Sequence, residues 1–279
     1  MKIMRIRFLA LLTLLLAPLA HAEEAPLVLG VFPYLSRGQL IEFHAPLKTY
    51  LESRLQRPVD LVTAPDFVEF TKRTQQGDFD LILTAPHMGR LAETRDGYQR
   101  LAMSAHEIQG VFLARQDSGI HTLADLKGKS IVMAQPVSLV YQMAAAHLRE
   151  SGLTPGKNLT VIDTRTHNNA LAAPIRREAE ASLTTKALWE RADADARTQL
   201  RVIGSTPILP GHLVMAHPRI GAALIKRIQR LLFDFKYTAE GKAYFETTGQ
   251  KDFVKIDDRI LKQLDPYTAI LIAPPPATP

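Results

Sequence analysis

A short buried strand that runs directly into a helix, at residues 79–88, constrains this sequence most. Its first half, FDLIL, is an apolar run after a Gln-Gly-Asp turn, as is typical of a strand covered on both faces. Pro86 then suits the first turn of a helix, where its missing N–H would have no partner. The free N–H groups of that turn face the carboxyl end of the strand, where open α/β sheets bind ligands. The stretch therefore predicts an α/β fold with a ligand site at its strand-to-helix turns.

Strand and helix patterns alternate along the chain in two consecutive series. The first has apolar runs typical of strands at 27–32, 58–63, 79–83, 99–105 and 110–115, with helical patterns between the earlier ones. The second restarts near Arg115, with predicted strands at 130–134, 159–163, 180–183 and 200–205 and predicted helices at 136–151, 168–177 and 185–195. A strand at 212–216 and a helical portion with no sheet of its own follow. This order predicts two lobes, each a doubly wound sheet flanked by helices.

The lobe boundaries follow from where the second series begins and ends. We expect the chain to cross between lobes near 111–115 and again near 203–207. Lobe 1 then comprises residues 23–114 and 206–272, lobe 2 comprises 115–205, and the Pro-rich tail 273–279 has no means of packing. The predicted architecture is a two-lobed clamp, linked by two hinge crossings, with its ligand in the cleft.

The first 22 residues have the features of a cleavable signal peptide. Three cations precede an apolar stretch, and Ala20-His21-Ala22 is an A-x-A cleavage site. The apolar stretch is too short to span a membrane. The sequence contains no cysteine, so a lipid-bearing cysteine is absent as well. We therefore predict export to the periplasm, as neither a lipoprotein nor a transmembrane protein.

Charge and motifs argue against several classes of function. The chain has 34 basic and 28 acidic residues, and three of the basic ones lie in the signal peptide, so the exported chain carries only +3. No clustered basic stripe of a nucleic-acid binder is present. There is no G-x-S-x-G or H-E-x-x-H motif and no histidine pair at metal-ligand spacing. We expect a monomeric binding protein with no cofactor and no metal rather than an enzyme.

Polar residues stand at most of the predicted strand-to-helix turns and are the candidate ligand contacts. Hydroxyls and imidazoles at helix starts can together hold a small anion. Each also has an ordinary structural explanation, since Ser138 and Asn168 suit helix caps and an isolated histidine is commonly structural. The candidate ligand-binding residues are Tyr34, Ser36, Thr84, His87, Ser138, Tyr141, His167 and His212.

A series of short motifs stands in a fixed order along the chain. The motifs are 30–34 (GVFPY), 64–67 (APDF), 78–80 (DFD) before 84–86 (TAP), 117–120 (DSGI) with 123–129 (LADLKGK), 167–172 (HNNALA) and 205–211 (STPILPG). This series resembles the periplasmic phosphate/phosphite/phosphonate-binding proteins that serve ABC importers. The likeness runs from Leu27 to about Pro266, and it implies a type II periplasmic-binding fold that closes over its ligand by a hinge.

The departures from that family concern the anion site. The resemblance implies a Ser-Thr-Ser-Gly run at a helix N-terminus, but residues 138–141 read Ser-Leu-Val-Tyr, so one hydroxyl is kept. His167 matches a family histidine and Glu180 stands in for an aspartate. Lys186, Ala187 and His212 occupy positions where aminophosphonate binders carry acids, and Phe67 replaces a tyrosine. The departures predict a ligand with less negative charge than a phosphonate dianion and with an apolar part for Leu139, Val140 and Tyr141.

Two functions of different class follow from this sequence. The first is a solute-binding protein that delivers a small, anionic ligand to the membrane permease of an ABC importer. The second is a ligand-sensing subunit that signals to a membrane histidine kinase or cyclase receptor. An enzyme built on the same fold is a third and weaker alternative.

Overall fold

The computed structural model describes residues 24–272, which form two mixed β-sheets with helices around them. The predicted signal peptide and the predicted Pro-rich tail lie outside these residues. The strands are β1 (Leu27–Val31), β2 (Val59–Thr63), β3 (Leu81–Thr84), β4 (Gln99–Ser104), β5 (Glu107–Ile108), β6 (Gly110–Arg115), β7 (Ser130–Ala134), β8 (Thr160–Thr164), β9 (Ala181–Thr185), β10 (Leu200–Ser205), β11 (Leu209–Pro210), β12 (Leu213–Ala216) and β13 (Phe253–Val254).

The helices connect these strands in the alternating order that the sequence predicts. They are α1 (Arg37–Leu55), α2 (Phe67–Gln75), α3 (Pro86–Thr94), α4 (Leu139–Glu150), α5 (His167–Ala172), α6 (Lys186–Glu190), α7 (Ala194–Gln199), α8 (Ala222–Asp234), α9 (Ala239–Thr248), α10 (Asp258–Lys262) and α11 (Asp265–Ile272). Short 3₁₀ turns lie at 123–126, 218–220 and 235–237. The predicted α/β class is confirmed.

The first sheet has six strands in the order β13-β4-β12-β3-β1-β2. β1 pairs in parallel with β2 and β3, whereas β12 lies antiparallel between β3 and β4. The C-terminal portion therefore contributes strands to this sheet. All four residues of β12 are buried. An interior position, with a neighbouring strand on each side, suits a strand this apolar.

The second sheet has five strands in the order β10-β6-β9-β7-β8. β6 pairs antiparallel with both β9 and β10, so residues 110–114, which the sequence analysis assigned to lobe 1, are hydrogen-bonded in this sheet. The chain consequently passes between the sheets at 105–109 and again at 206–212. β5 and β11 pair with each other across these two passages and form a short two-stranded ribbon.

Helix ends differ from prediction where local capping decides them. The helix predicted from residue 136 begins at Leu139, after a turn closed by the Ser138 N–H on the Gln135 carbonyl. The helix predicted at 185–195 is two helices, because the Asp193 carboxylate caps α7 through the Ala196 N–H at 2.7 Å. Thr166, not Asn168, caps α5. Asp66 caps α2 as predicted.

Each sheet has its own apolar core. The larger core packs β1, β3, β4 and β12 against α1, α8 and α9, and the smaller one packs β6, β7 and β9 against α4. Leu261 of α10 and Leu264, in the turn between α10 and α11, belong to the larger core, so the C-terminal portion packs against the six-stranded sheet. Within residues 24–272, every helix is too short or too polar to cross a membrane.

Candidate functional site

A cavity lies between the two sheets, and we call it the inner cavity. Its walls come from the end of β1, the start of α2, the 105–109 passage, the start of α4, the start of α5 and the loop after α9. The residues that line it are Phe32, Tyr34, Phe67, Ala85, His106, Glu107, Ile108, Gln109, Ser138, Leu139, Val140, His167, Thr185, Ala187, His212, Thr248, Gly249 and Gln250. The site thus combines residues from both sheets, as ligand clefts between lobes do.

Aromatic rings form the wall of the inner cavity on the side of the six-stranded sheet. The Phe32 and Tyr34 rings are stacked, with centroids 4.6 Å apart and planes at 20°. His212 meets Phe32 edge-on at 4.8 Å, and Phe67 lies 6.2 Å from Phe32. Phe32 and Phe67 are both almost completely buried and belong to the larger core. We call this surface the aromatic wall.

Behind the aromatic wall, a buried chain of hydrogen bonds holds the Tyr34 hydroxyl. The two ring nitrogens of His44 lie 3.1 Å from the Tyr34 and Tyr244 hydroxyls respectively. Burial raises the pKa of both tyrosines and lowers the pKa of His44 to about 3. His44 is therefore neutral, with one nitrogen that donates and one that accepts, and both hydroxyls keep their protons.

Three further histidines at the cavity are also neutral near pH 7. Burial lowers the pKa of His106 and His167 to about 4. It lowers the pKa of His212 more strongly, with His106, His44 and His167 adding to the effect. Among the described residues that line the inner cavity there is no Lys or Arg, and Glu107, its one acid, is exposed. The site offers aromatic faces and neutral hydrogen-bonding groups.

The opposite wall is formed by the starts of α4 and α5, and we call it the polar wall. Ser138 is the N-cap residue of α4, yet its hydroxyl makes no capping hydrogen bond and lies 3.5 Å from His167 Nε2. His167 Nδ1 is buried without a partner, as is the side-chain oxygen of Asn168. Buried polar atoms are normally paired, so unpaired ones in a cavity wall mark positions for ligand or water.

The structure brings four of the eight predicted site residues to the inner cavity: Tyr34, Ser138, His167 and His212. Tyr141 is half-buried and packs against the smaller core, and burial raises its pKa. Ser36 is exposed, donates to Gln39 Oε1 at 2.8 Å, and lines a different surface cavity.

The other two predicted residues are buried beside the cavity rather than in its lining. Thr84, at the end of β3, is fully buried with its hydroxyl unpaired and borders a small void beneath α3. His87 is fully buried and donates from Nε2 to the Val137 carbonyl at 2.8 Å. Because Val137 precedes α4, this hydrogen bond connects α3 of the first sheet to the polar wall.

Several lining residues are absent from the sequence prediction. His106, Gln109, Thr185 and Gln250 come from segments without a motif. Phe32 lies in the 30–34 motif but is not among the predicted contacts, and Phe67 stands out only as a replacement for a family tyrosine. Glu180 lies outside the cavity lining and accepts from the Ser130 N–H at 2.8 Å and from the Ser130 hydroxyl, which is a structural role between β7 and β9. In the part of the chain that the structure describes, no three His, Asp or Glu side chains group as metal ligands would.

The chain is similar to known proteins both in sequence and in structure. Residues 29–261 match the family model described as "ABC transporter, phosphonate, periplasmic substrate-binding protein". PhnD1 from Prochlorococcus marinus (MIT 9301), solved in complex with methylphosphonate, is 16% identical, with a TM-score of 0.81 over 88% of this chain and 97% of that chain. A binding protein component of an ABC phosphonate transporter from Pseudomonas aeruginosa is 17% identical, with a TM-score of 0.79 over 88% and 87%.

A relative of a different kind is the tetrathionate sensor histidine kinase TtrS of Salmonella typhimurium. It is 26% identical over 218 residues, which is 68% of this chain and 36% of the kinase. The chain thus spans about a third of the length of that protein.

Proposed function

The chain belongs to the family of periplasmic substrate-binding proteins of phosphonate ABC transporters, and we propose that it captures a small organic ligand in the inner cavity for delivery to an importer. Membership confirms the family resemblance predicted from the sequence. The family binds small molecules and works with an ABC permease, and it is not catalytic.

The nature of the cavity lining carries the proposal about the ligand. Phe32, Tyr34 and Phe67 offer apolar surface, while Ser138 and His167 offer neutral hydrogen-bonding groups. At the start of α4, Leu139 and Val140 add apolar lining beside the free N–H groups of the first turn. A fully charged phosphonate would bury its negative charge without a lining cation, which is unfavourable unless many donors surround it. We infer a ligand with a substantial apolar part, whose uncharged atoms occupy the inner cavity.

Capture requires the two sheets to move, and contacts between them define the closed form. Besides the bond from His87 to Val137, Asn168 Nδ2 donates to Gln39 Oε1 at 3.1 Å. The paired passages at β5 and β11 lie at one edge of the inner cavity, where His106 and Ile108 line it. Bending at this ribbon would separate the aromatic wall from the polar wall and open the cavity, as in hinge closure.

Replacement of His167 tests this proposal. His167→Ala should weaken binding at least tenfold, about 1.4 kcal/mol, because it removes the unpaired Nδ1 from the polar wall. A thermal-shift screen of small oxyanions, phosphonates and carboxylates first identifies compounds that bind the exported chain. Isothermal titration then measures their affinity for the wild type and for His167→Ala. We expect 2-aminoethylphosphonate to bind weakly, since its ammonium group would find only the exposed Glu107.

A matched variant and the melting temperature separate a ligand contact from a structural role. His147→Ala removes a half-buried histidine in the last turn of α4, away from the inner cavity, and should leave affinity unchanged. If His167→Ala lowers the melting temperature of the free protein but leaves affinity intact, His167 is structural. Failure of every compound in the screen to raise the melting temperature would contradict ligand capture itself.

Sensing is the second candidate function, and the likeness to the sensor kinase supports it. The same closure could signal to a membrane receptor instead of delivering the ligand to a permease. The genes beside this one discriminate between the two functions, because a permease and an ATPase gene favour transport and a kinase or cyclase gene favours sensing.

A further inference from the structure

A second cavity adjoins the inner cavity and opens towards the surface, and we call it the outer cavity. Its volume is about 450 Å³, compared with about 80 Å³ for the inner cavity. The two share four lining residues, Tyr34, Thr185, Ala187 and Thr248. A ligand held in the inner cavity can therefore extend past Tyr34 into the outer one.

Among the described residues that line either cavity, Arg191 is the one Lys or Arg. It follows α6 on the side of the second sheet and lines the outer cavity. Its Nη2 donates to the Glu246 carbonyl at 3.3 Å, in the last turn of α9 on the side of the first sheet. The carbonyl end of a helix carries partial negative charge, so a guanidinium is favourably placed there. Arg191 thus bridges the mouth of the cleft.

The guanidinium of Arg191 retains capacity for an anion. It has five N–H donors, and the Glu246 carbonyl engages one nitrogen. Among the residues that the structure describes, no carboxylate lies within ion-pair distance of it. Asp193, the other charged residue of the outer cavity, directs its carboxylate to the Ala196 N–H as the cap of α7.

Gly249 leaves the space that the guanidinium of Arg191 occupies. It ends α9 with φ at +70°, and a Cβ there would lie 2.6 Å from Arg191 Nη2. The absence of a side chain lets the guanidinium lie directly over the helix end, beside Thr248 of the cavity lining.

We propose that the ligand is an organic acid that spans both cavities, with its apolar part against the aromatic wall and its acid group on Arg191. This inference rests on the proposed function and names the ligand class. The acid group is a phosphonate, sulfonate or carboxylate, since each accepts two parallel hydrogen bonds from a guanidinium. The inner cavity then receives uncharged atoms, which agrees with its neutral lining.

Titration of two phosphonates that differ in their apolar part tests the inference. Phenylphosphonate should bind at least tenfold more tightly than methylphosphonate to the exported chain. Arg191→Ala should weaken phenylphosphonate binding at least tenfold, and Arg191→Lys should weaken it less because the charge remains. Arg230→Ala, which removes an exposed arginine on α8 outside both cavities, should leave affinity unchanged.

Salt dependence separates an acid contact from a contact that only holds the cleft closed. Affinity of the wild-type chain for phenylphosphonate should fall as NaCl is raised, and that dependence should be lost in Arg191→Ala. Equal weakening of both phosphonates by Arg191→Ala with the salt dependence retained would show a closing contact and overturn the inference.

Two further outcomes overturn it in different ways. Absence of phenylphosphonate binding at millimolar concentrations, or binding that Arg191→Ala leaves intact, contradicts the position of the acid group. If methylphosphonate still binds in a way that depends on His167, ligand capture stands and only the inference fails.

Discussion

The aromatic wall and the polar wall face the same cavity but differ in how their polar groups are used. On the aromatic wall, the hydroxyl of Tyr34 is already engaged with His44, which is in turn engaged with Tyr244. On the polar wall, the Ser138 hydroxyl makes no capping bond, and His167 Nδ1 is unpaired. The Tyr34 hydroxyl of the first wall is thus paired within the protein, although His212 Nδ1 beside Phe32 is unpaired, whereas both helix starts of the second wall carry incompletely paired groups.

This difference indicates that the aromatic wall maintains the shape of the cavity and that the polar wall recognises the ligand. Phe32 and Phe67 are core residues of the larger cluster, so the aromatic wall is part of what holds the first sheet and its helices together. The helix starts of the polar wall gain partners only when a ligand or water arrives. We therefore expect changes in the aromatic wall to affect stability first, and changes in the polar wall to affect affinity first.

Truncation of Phe67 should produce the largest effect. Phe67 is 1% exposed and lies where α2 starts, so Phe67→Ala removes a core ring as well as part of the cavity lining. Such truncations cost about 3 to 5 kcal/mol, and urea unfolding should show a loss in that range. Phe67→Leu keeps most of the volume and should cost clearly less.

The opposite result would remove the distinction between the walls. If Phe67→Ala unfolds at the same urea concentration as the wild type and only affinity falls, the aromatic wall is a ligand surface without a role in the core. His167→Ala, measured in the same way, provides the comparison from the polar wall.

Acid should lower the free energy of unfolding through His44, by less than the truncation of Phe67 does. The pKa of His44 is about 3 in the fold because of burial, and about 6.5 when the chain is unfolded. A histidine with a lowered pKa stabilises the fold fully above pH 6.5, and this contribution is lost as pH falls towards 3. By pH 5 the loss attributable to His44 is about 2 kcal/mol.

A variant that keeps the hydrogen bonds but does not titrate isolates this contribution. His44→Gln can still donate to one tyrosine hydroxyl and accept from the other. The difference in unfolding free energy between pH 7 and pH 5 should therefore be about 2 kcal/mol smaller in His44→Gln. An unchanged pH dependence would show that His44 does not contribute, and that other histidines with a lowered pKa, such as His106 and His87, account for the acid sensitivity.

Much of the fold follows from local pattern. The alternation of apolar strands with amphipathic helices predicts the α/β class, and capping residues such as Asp66 predict where helices begin. Strand order is harder to predict, because β12 enters the first sheet antiparallel, more than 100 residues after its neighbour β4. Pairing at that separation depends on burial on both faces, which no short segment of sequence records.

The residues of the site can likewise be divided into those that local pattern predicts and those that depend on tertiary packing. Tyr34, Ser138, His167 and His212 lie at the cavity, and they stand next to strand ends or helix starts, which a sequence pattern can locate. Residues such as His106 and Gln250 reach the cavity from a passage and from a loop after α9, and their roles depend on tertiary packing. Arg191 likewise gains its position only when α6 and α9 meet across the cleft.

The smallest predicted effect separates two serines that are equivalent in sequence. Ser36 and Ser138 are the N-cap residues of α1 and α4, and neither hydroxyl makes a capping hydrogen bond. Ser36 is exposed and donates to Gln39, whereas Ser138 is 2% exposed in the polar wall. Since a neutral hydrogen bond contributes about 1 kcal/mol, Ser138→Ala should weaken ligand binding about fivefold. Ser36→Ala should leave affinity unchanged in the same titration. Equal effects of the two substitutions would mean that the hydroxyls act on their helices rather than on the ligand, and the polar wall would then recognise its ligand through His167 and the backbone alone.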